Sequence, residues 1–134
     1  MPVRGRMTLG LDEYLETLVR AGQDVDEVVE EVLEEASPEV GGMLYKNLRN
    51  DSEQWTPDLA LTIEVDDVQK EGNYIFLEAS VGGDDEDNQA AAKAKEYGTA
   101  RQAAEPFFRP TLIYFRRKGL KNWMARVLER YGLQ

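Results

Sequence analysis

Glu96-Tyr97-Gly98-Thr99 and, after a short spacer, Glu105-Pro106-Phe107-Phe108-Arg109-Pro110 form the stretch whose reading decides the fold. Glycine admits a backbone with φ > 0. Pro106 and Pro110 lack an N–H and press the residue before each toward extended geometry. The stretch therefore reads as the end of an extended element, a tight connection, and a helix whose start is set by proline and packed by two phenylalanines. Downstream, Leu112, Ile113, Leu120, Trp123, Met124, Val127, Leu128 and Tyr131 make an apolar stripe flanked by Arg116, Arg117, Lys118, Lys121 and Arg126. That pattern predicts a long C-terminal helix from about Pro106 to Tyr131. Gly119 costs about 1 kcal/mol against alanine inside it and predicts a bend.

Upstream of the turn, residues 90–97 fit two readings. The alanines favour helix, whereas Lys93 and Lys95 alternating with alanine suit an edge strand protected by charge. Before them, Gly82 to Asn88 reads as an acidic loop, and residues 82–89 as a mobile connection. Tyr74 to Val81 alternates Tyr74, Phe76, Glu78 and Ser80 against Ile75, Leu77, Ala79 and Val81, the period of a half-buried strand. Lys70-Glu71-Gly72-Asn73 reads as its hairpin connection. Residues 59–68 alternate in the same way, with Leu59, Leu61, Ile63 and Val65 on one side.

The first third of the chain reads as helical. Residues 1–8 look like a flexible arm. Leu11, Tyr14, Leu15, Leu18 and Val19 then form a helical stripe that Gly22 ends. Asp24 is placed to cap a second helix, with Glu27 at the capping-box position. Val25, Val28, Val29, Val32, Leu33 and Ala36 share one face, as core packing requires. Ser37-Pro38 predicts an interruption, and Gly41-Gly42 a break. Asn50 to Pro57 reads as irregular, with Trp55 either exposed or folded over the core edge. The expected whole is one α+β domain over residues 1–134: a small antiparallel sheet of about three strands, packed by an N-terminal helical region and the long C-terminal helix.

Charge is divided along the chain. Residues 1–92 carry 6 basic and 23 acidic side chains, net −17, and residues 93–134 carry 10 basic and 3 acidic, net +7. Such asymmetry concerns partners rather than fold. It fits either two solvated faces or head-to-tail contact between subunits. Arg109, Arg116, Arg117, Lys118 and Lys121 are the candidate basic contacts. Glu30, Glu31, Glu34 and Glu35, with Asp84, Asp85 and Asp87 of the acidic run, are the candidate acidic ones.

A second short motif accompanies the first: Ser37-Pro38-Glu39-Val40-Gly41-Gly42-Met43-Leu44-Tyr45-Lys46-Asn47-Leu48. Together the two resemble the tail-completion, or head–tail joining, family of lambda-like long-tailed phages and prophages. Pro38, Gly42 and Leu44 match that family's first motif. Glu96, Tyr97, Gly98, Thr99, Pro106, Phe107, Arg109 and Pro110 match its acidic-aromatic-Gly-Thr turn and Pro-Phe-x-Arg-Pro helix start. The family threonine is Gly41 here, one basic position is Tyr45, and Ala91-Ala92 stand where an aromatic-Ala pair usually opens a strand. The resemblance implies an edge strand over residues 90–97. It also implies a ring-forming neck protein in the virion, made in the bacterial cytoplasm. Its implied partners are itself, other neck proteins and a tail-tube or tail-terminator protein, with DNA passing through without tight binding.

Little in the composition suggests chemistry. The chain has no cysteine and no histidine, hence no disulfide framework, no Ser-His triad and no imidazole base. No apolar run approaches the ~20 residues of a membrane span. Arg4 and Arg6 are followed by no apolar h-region, so no secretory signal is expected. The run Gly82-Gly83-Asp84-Asp85-Glu86-Asp87-Asn88 has clustered oxygens but lacks the EF-hand pattern. No catalytic, cofactor-binding or metal-ligating residues are assigned, and no enzyme is expected. The alternative reading is a small nucleic-acid-binding or antitoxin-like protein using the basic C-terminal helix, with Trp123 and Tyr131 stacking on bases.

Overall fold

A computed structural model describes residues 1–50 and 56–133. Trp55, singled out above, lies outside the described residues. The chain opens not in an arm but in a strand, β1 (Val3–Met7), with Val3 and Met7 buried. The alternation of Arg4 and Arg6 with Val3, Gly5 and Met7 is the period-two signal that glycine content obscured. A Cβ on Gly5 would overlap the Leu112 side chain, so glycine here lets a later helix settle on the strand.

Helix α1 (Leu15–Arg20) is short, and only Leu18 of its stripe is fully buried; Leu15 and Val19 are exposed. Gly22 closes it with φ 70°. Asp24 caps α2 (Val25–Arg49) as expected, its side chain accepting the Glu27 N–H at 3.2 Å. The predicted break at Ser37-Pro38 and Gly41-Gly42 does not occur, because α2 runs through both. Pro38 lacks the N–H that would meet the Glu34 carbonyl, normally a cost of about 3 kcal/mol. The apolar face is continuous across it, however: Val32, Leu33, Ala36, Val40, Leu44 and Leu48 are all fully buried. At roughly 1.5–3 kcal/mol for each large aliphatic side chain, that burial outweighs the local penalty. Pro38 and Gly42 lie on the exposed side of the helix.

The alternation over residues 59–68 is only partly strand. Thr56 caps a single helical turn, α3 (Pro57–Ala60), which buries Leu59 and leaves Leu61 exposed. Strand β2 is confined to Glu64–Val65. Strand β3 (Gln69–Glu71) then turns through Gly72, φ 58°, into β4 (Tyr74–Val81), as the hairpin motif predicts. Strand β4 is central and antiparallel to the other three, with Gly5 opposite Ala79, Val65 also opposite Ala79 from the other side, and Lys70 opposite Ile75. The sheet thus has four strands rather than three. Ile75, Leu77, Ala79 and Val81 face the core, and Phe76 on the other face is covered by the Arg6 guanidinium, 4.2 Å from its ring centre.

Residues 90–97 are not an edge strand. They belong to α4 (Glu86–Tyr97), whose start also shortens the acidic loop. The Asp85 side chain caps this helix by accepting from Asp87 N at 2.7 Å and Asn88 N at 3.3 Å. A capped, alanine-rich segment follows its own propensity here, against the strand implied by the resemblance. Gly98 ends it at φ 77°. After a connector come α5 (Phe108–Tyr114), a π-helical turn (Phe115–Gly119) and α6 (Leu120–Arg130). The irregularity expected at Gly119 takes this π form, and a Cβ on Gly119 would overlap the Phe115 ring. One hydrophobic cluster joins α2, the sheet's inner face, α5 and α6, so the α+β architecture holds. Among the described residues no helix is long and apolar enough to cross a membrane.

Candidate functional site

The turn motif closes around one carboxylate. Helix α4 turns Ala92, Lys95 and Glu96 inward, at i, i+3 and i+4. Glu96 is fully buried and accepts from the backbone N–H of Phe107 at 2.9 Å, of Phe108 at 2.8 Å and of Arg109 at 3.1 Å. Arg109 returns with its side chain, Nε to Glu96 Oε2 at 2.9 Å and Nη2 to the Glu96 carbonyl at 3.4 Å. These are the amides that open α5, which no residue of its own first turn caps. A helix start leaves its first N–H groups without intrahelical partners. Glu96 satisfies three of them, and Pro110, in the same turn, has none to satisfy. The negative charge also sits at the positive end of the helix dipole. Burial pushes the Glu96 carboxyl up, but the hydrogen bonds from Phe108, Phe107 and Arg109 outweigh it and hold the group below its ordinary value.

The residues between Glu96 and Arg109 serve the same closure. A Cβ on Gly98 would lie 2.9 Å from Ala104 N, so the glycine is needed for space as well as for its positive φ. Thr99 and Gln102 exchange backbone hydrogen bonds, Thr99 N to Gln102 O at 2.8 Å and Gln102 N to Thr99 O at 3.3 Å. The Thr99 hydroxyl accepts from Arg101 N at 3.2 Å. Glu105 N donates to Lys95 O at 2.7 Å. Phe107 is fully buried, as the Pro-Phe reading requires, and Pro106 is exposed. Tyr97 stays 59 % exposed with Arg109 stacked over it, 5.1 Å from the ring centre.

The two sequence motifs meet at one point. Asn47 Nδ2 donates to Thr111 Oγ1 at 2.8 Å, and Thr111 Oγ1 donates to the Phe107 carbonyl at 2.8 Å. Leu44 packs in the shared core, whereas Pro38 and Gly42 are not drawn into the cluster around Glu96. Sequence reasoning missed Lys95, which is 2 % exposed with Nζ 3.6 Å from Glu105. Its spacing of three from Ala92 was the available signal, but the alternation with Lys93 suggested a strand instead.

The candidate interface charges divide into two groups. Arg130 pairs with both Glu31, at 3.4 Å, and Glu35, while the Tyr131 hydroxyl donates to Glu31. Lys121 reaches Glu13 at 3.0 Å, and Arg116 Nη2 donates to the Arg6 carbonyl at 2.7 Å. Those contacts join α6 and the π turn to α2, β1 and the segment before α1. Arg117 and Lys118 are exposed on the π turn, and Asp84 and Asp87 beside the α4 start; none has an ion-pair partner among the described residues. Asp85 is engaged as a helix cap. Glu30 also lacks a partner there, and Glu34 borders an open cleft of about 380 Å³ with Ser37, Asp66, Asp67, Val68 and Leu77. Among the described residues no three carboxylates are grouped so as to hold a metal ion. No family model, no curated protein and no solved structure matches the chain.

Proposed function

We propose that the chain is a structural virion protein that forms a ring at the head–tail junction of a long-tailed phage, completing the tail and helping join it to the DNA-filled head. The observation that carries this reading is the order Glu96-Tyr97-Gly98-Thr99, Pro106-Phe107-Phe108-Arg109-Pro110, the motif of the resemblance. Glu96, Phe107, Phe108 and Arg109 of that order meet in one hydrogen-bonded cluster, which supports reading the two halves of the motif together. Lys121 and Arg130 are paired within the chain, and the exposed Arg117 and Lys118 on one side and Asp84 and Asp87 on the other are the charges that suit contact between unlike surfaces of successive subunits. Exposed pairs contribute about 0–1 kcal/mol each, so charge orients the subunits while apolar contacts hold them.

On this reading the partners are other copies of the chain, other neck proteins and the tail-tube or tail-terminator protein, and DNA passes without tight binding. Nothing comparable supports the nucleic-acid alternative. The Trp123 indole donates to Glu39 at 2.9 Å and carries the Arg126 guanidinium 4.4 Å from its ring centre, and the Tyr131 hydroxyl donates to Glu31, so base stacking would compete with contacts already made within the chain. The test is location. An epitope-tagged copy, supplied to a phage lacking the gene, is expected at the head–tail junction in electron micrographs of labelled particles. Loss of the gene is expected to leave filled heads and finished tails unjoined. Particles that assemble and infect normally without the protein refute the proposal.

A further inference from the structure

One buried charge has no part in the closure around Glu96. Lys95, turned inward by α4, is 2 % exposed, and its Nζ makes no hydrogen bond to a described residue. Its ion pair with Glu105 stands at 3.6 Å, beyond hydrogen-bond reach. A buried ammonium whose protons lack acceptors carries a desolvation cost that one carboxylate at that range offsets only in part. The ammonium lines a half-open cavity of about 240 Å³, shared with Asn47, Asn50, Glu105 and Pro106, between the end of α2 and the connector that follows α4. That is far more than the ~10–15 Å³ a single water needs, and less than a drug-sized ligand fills.

The lining is set in advance. Lys95 is carried by a helix, Glu105 N donates to Lys95 O at 2.7 Å, and Asn47 Nδ2 is committed to Thr111 Oγ1 at 2.8 Å, which leaves Asn47 Oδ1 to accept. The cavity thus presents a donor group, the ammonium, beside two acceptors, the Glu105 carboxylate and Asn47 Oδ1. The formal charges of Lys95 and Glu105 cancel. A plain carboxylate reaching Lys95 would meet Glu105 as a like charge, and a plain amine reaching Glu105 would meet Lys95. A zwitterion brings a counter-charge to each. We propose that this cavity binds a small free α-amino acid, its carboxylate on Lys95 Nζ and its ammonium on Glu105 and Asn47 Oδ1. The site lies within one chain and does not depend on the ring reading. Its occupant ties the α2 end to the connector and stabilises the fold by mass action.

The test is a titration of the isotope-labelled protein with glycine, followed by nuclear magnetic resonance at the side-chain amides of Asn47 and Asn50 and the backbone N–H of Glu105. Acetate and methylammonium, each carrying half of the recognised pair, are separate arms at equal ionic strength. Glycine is expected to give saturable shifts at these positions, and either half-ligand to bind at least about tenfold more weakly. Lys95→Met keeps the length of the buried stem and is expected to abolish the glycine shifts. Glu105→Gln, at a side chain 43 % exposed, is expected to remove the handicap of acetate, which then binds at least as well as glycine. Absence of saturable glycine shifts, equal binding of acetate and glycine by the wild type, or unchanged glycine binding by folded Lys95→Met overturns the inference. Should Lys95→Met fail to fold, Glu105→Gln decides: an unchanged preference for glycine over acetate overturns the inference, and its loss supports it.

Discussion

Replacing Glu96 by glutamine tests the core of the structural argument. The substitution keeps size and shape, and one oxygen remains to accept from Phe107 N and Phe108 N. The other oxygen becomes an NH2 group facing two donors, Arg109 N and Arg109 Nε. Removing one member of a buried charge pair costs about 3–5 kcal/mol. Arg109 is 55 % exposed, however, and water recovers part of the loss. An expected cost of about 2–4 kcal/mol follows, read as a melting temperature lower by roughly 6–20 °C for a chain of this size. The pH dependence supplies a second measure. The folded Glu96 carboxyl lies below its ordinary value, so its contribution is complete above the unfolded pKa and is lost as pH falls through the folded one. The gap between wild type and Glu96→Gln should therefore narrow as pH is lowered from neutrality through and below the carboxylate range. Circular dichroism melts across that range measure both effects. A cost under about 1 kcal/mol, or a gap that does not change with pH, would refute the claim that this charge organises the α5 start.

Three further outcomes are expected. Phe107→Ala removes a fully buried ring and should cost about 3–5 kcal/mol in denaturant unfolding. Gly119→Ala forces a Cβ into the Phe115 ring and should cost about 1–3 kcal/mol by overpacking; a neutral result would mean that the π turn relaxes without loss. Duplex DNA at physiological salt should show at most weak, steeply salt-sensitive association, because the net charge of −10 opposes the basic helix. Saturable nanomolar binding would favour the nucleic-acid reading instead.

Where sequence and structure agree, one local signal sufficed. Tyr74–Val81 alternates cleanly, Gly72 supplies the turn before it, and Asp24 is a cap with its helix directly downstream. The departures share a cause, which is that a long-range contact or a neighbouring cap overrules the local signal. Pro38, Gly41 and Gly42 break a helix in isolation but not one whose apolar face continues from Val28 to Leu48. Strand β1 is short and contains glycine, and its partner residues in β4 lie seventy or more positions away in sequence. The alternation at Leu59–Val65 was real, but Thr56 and Pro57 start a helical turn there, and only two residues pair with β4.

The site shows the same division more sharply. The sequence places Glu96 in a turn motif and is compatible with either helix or strand before it. That choice decides the chemistry. In an α-helix, residues 92, 95 and 96 share a face, which brings Ala92, Lys95 and Glu96 inward together. In a strand, Lys95 and Glu96 would point to opposite sides, and Glu96 could face the α5 amides only if Lys95 turned away. The helix therefore explains at once why a carboxylate is buried and why a lysine is buried beside it, while Pro110 is tolerated in the first turn of α5 because that position has no intrahelical N–H bond to lose. It also carries Tyr97 to the rim, where Arg109, pinned by the same carboxylate, stacks over its exposed ring. One carboxylate thus caps the α5 start and also holds the guanidinium that stacks on Tyr97. Any substitution at Glu96 disturbs the helix start and the rim together. Tyr97 and Ile113 are exposed, so substitution at either should disturb the fold far less than substitution at Glu96, a contrast that thermal melts measure.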